Sequence, residues 1–368
     1  MNNTKINFLE ASFLVVIVTI THLLLDLPNA LIKSTGSASV LNAIYISILA
    51  LIYFFIVKKL LSPFDGNNIL HVAEFLGGKF LKRVLTIIYI SYFAFISAIM
   101  IRNFGDTLRL IYFPQATLWS VLGIMVLVAV IVNHMGAGSV IKVNTFIIPP
   151  ILLTIVITAF SLIGKLEPNR LFPVMGYGFK ETFIFGASNI YAFSGLVYIY
   201  LIRPNLKNYK DFTKLGVTSI LLSAMYLVVC ILALVMLFPY LTSGNETLSI
   251  YLSTRVIEYG KFMQRADALY MFVWLFDCLS YLSVMILYIK HIGTQAIEVK
   301  QGNLFTIIIG IVIFIIALLP QNTVQVEFIE STVYKYLSLG IVFGLSFVIL
   351  LLGYIKKTES RFSKFILR

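Results

Sequence analysis

Ten long apolar runs, near residues 8–32, 40–57, 84–112, 117–133, 143–163, 183–202, 215–238, 268–289, 304–319 and 336–355, constrain this chain more than anything else in it. About 20 apolar residues in a helix, rising 1.5 Å each, cross the ~30 Å hydrocarbon layer of a bilayer. The runs lack the period-two alternation that barrel strands need, so helices are left as the way to pair every backbone group in lipid. With 60% hydrophobic and 12% charged residues, the chain carries more apolar surface than a soluble core can hide, since soluble domains are roughly 25% charged. The first run, from Phe8 to about Ile32, lacks the small-residue cleavage pattern of a signal peptide and reads as the first span. The expectation is a single all-α membrane domain over residues 1–368.

The net charge of +12 is spread between the runs rather than gathered in a block, which argues against nucleic acid and for topology. Of the 28 Lys and Arg, 18 fall in the alternate set of loops that includes both termini, against 8 in the other set. Positive loops stay inside, so both termini are expected in the cytoplasm. Cys230 and Cys278 fall within spans, which removes a disulfide framework or a zinc pattern. Residues 63–82 mix apolar and polar positions as a short helix on the cytoplasmic surface would, and residues 239–264 could form an outer lid or partner surface.

Ionisable and polar groups within the runs mark candidate sites, because charge at mid-membrane is costly. Asp277 lies about ten residues into span eight, one turn before Tyr281, and reads as a proton or ion site or as the counter-ion of a substrate amine. A carboxyl bonded to a neighbouring helix is the alternative. Span one carries Thr21, His22 and Asp26 ahead of Pro28, whose missing amide should open the helix near the Leu24 carbonyl. Asp26 is a second candidate proton or ion site. Span six contains Gly186-Ala-Ser-Asn189-Ile-Tyr-Ala-Phe-Ser194-Gly195, a small and polar stretch suited either to local unwinding or to close helix packing.

Spans one and six hold corresponding places in two halves of five, and an odd number of spans per half inverts the second. Paired interruptions at those places point to a transporter-type cavity for a small polar solute, lined by Thr21, His22, Asn189, Ser194, Asp277 and Tyr281. Arg102, Asp106 and Arg109 share a face of span three near its outer end and read as a structural ion-pair cluster, as do Arg265 and Asp267 at the start of span eight. The four His are dispersed and no phosphate-binding loop is present, so neither an enzyme, a metal nor a cofactor is expected.

Several local marks recur in a fixed order: Leu27-Pro28; Arg102, Asp106 and Pro114; Asn169-Arg-Leu-Phe-Pro173-Val with Gly176 and Gly178; Arg203-Pro204; Gln264-Arg265-Ala-Asp267 leading to Trp274; and Leu319-Pro320. In these the chain resembles the B subunits of bacterial spore germinant receptors, within the amino acid, polyamine and organocation transporter superfamily. It departs from them in having His22 and Asp26 where smaller residues are usual, and Asp267 in place of Glu. The resemblance implies a ten-helix inverted repeat with broken helices one and six, and a sensor of a small, amino-acid-like nutrient. It also implies residence in the spore inner membrane beside a larger membrane receptor subunit and a lipoprotein subunit. A proton-coupled amino acid or polyamine transporter shares the same fold, and a channel component is a third class.

Overall fold

The computed structural model describes residues 5–25, 27–64, 66–240, 249–257, 266–296 and 303–366. Asp26 and Arg265, both singled out by the sequence, lie outside these. Among the described residues there is no strand, only one bridge pairing Ile6 with Leu206. Among the described residues seven helices are long and apolar enough to cross a membrane, and three shorter apolar helices, Phe8–Leu23, Leu118–His134 and Asn303–Leu318, fall where spans one, four and nine are expected. The end of the bundle that charge asymmetry assigns to the outside is called the outer end below.

Span one is a helix over Phe8–Leu23 that stops and restarts as Leu27–Thr35, so the break falls just before Pro28. Asn7 and Glu10 cap its start reciprocally, with bonds of 2.8 and 2.9 Å that satisfy two otherwise orphaned amides. Every residue from Ala11 to Leu23 is buried. A helix that is apolar all round belongs inside a bundle rather than against lipid. Span one accordingly packs against spans five, six, seven and eight.

Span six, the equivalent place in the second half, is also wrapped. It runs as a π-helical turn over Lys180–Phe185, a tight 3-10 stretch over Gly186–Leu196 and a regular helix over Val197–Ile202, whose six residues are all buried. Small residues let it approach span one: a Cβ on Gly195 would lie 2.4 Å from the Thr19 hydroxyl oxygen. At the inner end, Ile6 and Asn205 join the two segments through a 2.9 Å backbone bond.

Two long helices depart from their expected limits. Ile69–Ile111 carries the amphipathic stretch and span three on one run, separated by non-helical residues at Gly77 and Gly78, the latter at φ 66°. Span ten begins at Thr323 rather than near 336 and includes π-helical turns at Ile329–Tyr334 and Leu339–Leu345. Lys335, counted from the sequence as a loop residue, is therefore within the helix.

The loop holding Asn169 to Gly178 closes over the outer ends of spans one and two. Ser37 donates to the Pro173 carbonyl at 2.5 Å, and a Cβ at Gly176, where φ is 54°, would lie 2.0 Å from the Thr35 carbonyl oxygen. Only glycine fits this conformation and this approach.

Candidate binding site in the bundle

The break in span one adjoins a buried polar centre built from four other spans. His22 is stacked on Tyr334 of span ten with ring centroids 4.6 Å apart, and its Nε2 lies 3.3 Å from the Tyr281 hydroxyl of span eight. The Tyr334 hydroxyl is 2.5 Å from Ser194 of span six. His22 Nδ1 points toward Glu330, 3.8 Å from Oε1, too far for a hydrogen bond. The other Glu330 oxygen accepts from the Asn103 amide of span three. His22 and Glu330 are 3% and 4% exposed, so both belong to the interior.

Three of the predicted residues, His22, Ser194 and Tyr281, thus meet here, while the other three lie elsewhere. Asp277 is fully buried beside Thr21, with Tyr226, Tyr270 and Cys278 as further neighbours. The Thr21 hydroxyl already donates to the Ile17 carbonyl at 2.6 Å, and neither Asp277 oxygen receives a hydrogen bond. Asn189 corrects the expectation of one shared cavity. Its amide donates to Asn42 at 2.9 Å and to Ser34 at 3.1 Å, and its carbonyl accepts from Lys335 at 3.4 Å. Lys335 also lies over the Tyr191 ring, 5.6 Å from its centroid.

The carbonyls released by the irregular start of span six are not free for a solute. Asn42 of span two donates to the Thr182 and Gly186 carbonyls at 2.8 and 3.1 Å, restoring bonds that lipid could not supply.

In span three, Arg102 pairs with Asp106 at 2.8 Å and donates to the Ala317 carbonyl at 3.1 Å. Arg109 is not part of that pair, contrary to the expected cluster: its Nε donates to the Ala116 carbonyl at 2.8 Å. The Tyr251 hydroxyl donates to Asp267 at 3.2 Å. A cleft of about 460 Å³ opens at the outer end between spans three and ten, with Asp106, Arg109 and Glu327 on its walls and Asn103 among its lining. Asn103 therefore touches the cleft and bonds to the buried Glu330.

Glu330 was missed in the sequence because Gln321 to Lys335 is polar enough to read as a loop. The signal that could have found it is the helix start at Asn322, whose side chain accepts from the Gln325 amide three residues on, at 2.8 Å.

The profile of the family described as "Spore germination protein" matches residues 5–326, most of the chain. The chain belongs to that family. It is 20% identical to spore germination protein GerQB of Bacillus cereus, over 81% of this chain and 82% of the relative. To spore germination protein B2 of Bacillus subtilis (strain 168) it is 23% identical, over 97% of both chains. Among solved structures it is similar to a Na+-coupled sialic acid symporter in a substrate-bound, outward-open state, with a TM-score of 0.67 over 96% of this chain and 89% of the symporter at 11% identity. At that identity the likeness concerns the fold alone. The chain is a helical membrane protein of the spore germination protein family with the fold of a transporter.

Proposed function

We propose that this spore germination protein is the membrane subunit of a nutrient germinant receptor, in which a small polar, amino-acid-like nutrient binds beneath the outer cleft and triggers germination. The observation that carries the reading is a polar centre, His22, Ser194, Tyr281, Glu330 and Tyr334, assembled where spans one, six and ten depart from regular helix. A bound nutrient acts by favouring one of two arrangements of these irregular segments, since a ligand with equal affinity for both shifts nothing. On this reading both termini face the cytoplasm of the spore inner membrane, and the signal passes to a larger membrane receptor subunit and a lipoprotein subunit. The chain binds and signals, and carries no catalytic step.

Asp277 favours a second reading, a proton-coupled amino acid or polyamine transporter. Its oxygens have no hydrogen-bond donor, and an ionised carboxylate so buried costs several kcal/mol unless a proton or cation accompanies it. Reconstitution into liposomes separates the two. Saturable binding of a labelled amino acid without gradient-driven accumulation is the result expected of a receptor, and sustained uptake by the chain alone is that of a transporter.

A further inference from the structure

Two buried acceptors near the break in span one lack donors. Glu330 Oε1 and His22 Nδ1 are both without a hydrogen bond, and they lie 3.8 Å apart. The roles of the two atoms follow from the tautomer of the ring. With the proton assigned to Nε2, which then donates to the Tyr281 oxygen 3.3 Å away, Nδ1 carries the lone pair. In that tautomer both orphaned atoms are acceptors, and a single donor group placed between them satisfies both. An ammonium nitrogen about 2.9 Å from each does so and keeps a third N–H for the rest of the ligand.

We propose that Glu330 Oε1 and His22 Nδ1 form a cradle for the ammonium group of the ligand, with Asn103 holding the carboxylate in place from the cleft side. The surroundings favour a cation over a neutral solute. Tyr334 stacks on the imidazole and Tyr191 meets Tyr334 edge to face at 5.7 Å, so the centre is walled by aromatic rings. The charged groups nearby are already engaged: Arg102 is held by Asp106 and the Ala317 carbonyl, and Lys335 by Asn189 and the Tyr191 ring. The titratable groups facing His22 are Glu330 and Tyr334 from span ten and Tyr281 from span eight; Tyr191 of span six neighbours Glu330, and Asp277 lies beside Thr21. Glu330 thus determines specificity for amine-bearing nutrients over sugars and hydroxy-acid analogues, whose hydroxyl donates a single proton, leaves one of the two acceptors unpaired and brings no positive charge.

This assignment rests on the nutrient-binding reading above, and the test keeps the two apart. The full chain in lipid nanodiscs is titrated with L-alanine, putrescine, lactate and glucose, and binding is read by thermal shift. The expected result is stabilisation by an amine-bearing probe, no shift with lactate or glucose, and at least about a tenfold loss of affinity in E330Q, the scale of a charge-assisted hydrogen bond. If lactate or glucose binds and E330Q leaves that affinity unchanged, the cradle is wrong while nutrient binding stands. If no probe shifts the wild type, both readings fall. Should E330Q not fold, the wild type carries the test.

Discussion

Asp277 and Glu330 are both buried carboxylates, and their surroundings separate them. Asp277 sits on the regular helix of span eight among Thr21, Tyr226, Tyr270 and Cys278, with no donor for either oxygen. Glu330 sits on a π-helical turn of span ten, one oxygen held by an amide that also lines the outer cleft and the other turned toward an imidazole. The first arrangement accommodates a proton in a closed, hydroxyl-lined spot. The second is tied to the outer cleft through Asn103, which lines the cleft and bonds to Glu330. On the proposed reading, that link to an entry route is what separates a site for a solute from a site for a proton.

The largest expected effect falls on the Glu330 side alone. Arg102→Ala strips Asp106 and the Ala317 carbonyl of their buried guanidinium and should cost about 3–5 kcal/mol in thermal unfolding of the purified protein. A loss under about 1 kcal/mol would mean that the outer wall near Asn103 is held by something else.

Gly195→Ala acts on both carboxylates, because it forces span six away from span one, which carries the partners of each. Its Cβ would meet Thr19 Oγ1 at 2.4 Å and the Val15 carbonyl at 3.0 Å, and overpacking of this kind costs about 1–3 kcal/mol. Unfolding that leaves the melting curve unchanged would show the two spans to be less tightly joined than described.

Asp277→Asn has the opposite sign. The wild-type carboxyl must take up a proton to be buried near neutral pH, whereas the isosteric amide is neutral folded and unfolded, so stability at pH 7 should rise by about 1–3 kcal/mol. Destabilisation would reveal a partner for Asp277 and erase its contrast with Glu330. The smallest effect is that of Ser194→Ala, which deletes the 2.5 Å bond to Tyr334 and should cost about 1 kcal/mol, with the response to ligand weakened on the Glu330 side.

Much of this architecture can be read from the chain. Apolar runs locate the helices, Pro28 locates the break in span one, and Gly186 to Gly195 locates the irregular part of span six. His22 and Ser194 follow from those interruptions, and Tyr281 from its place one turn after Asp277 in span eight. What sequence cannot carry is which face of each irregular segment turns where. Asn189 is only five residues from Ser194, yet the tight 3-10 stretch directs it to Asn42, Ser34 and Lys335. Glu330 was hidden for a related reason: a π-helical turn carries Glu330 and Tyr334 into the bundle on a segment that a hydropathy reading leaves outside the span. The Arg109 side chain shares a helical face with Asp106, but its reach to the Ala116 carbonyl depends on how the chain turns after Ile111.

The central claim is that the solute site lies at Glu330 and not at Asp277, and parallel binding tests it most directly. Wild type, E330Q and D277N in nanodiscs are titrated with the labelled amino acid that binds the wild type saturably. The account predicts that E330Q loses at least about tenfold in affinity while D277N stays within about twofold. Retained binding in E330Q together with lost binding in D277N would contradict it.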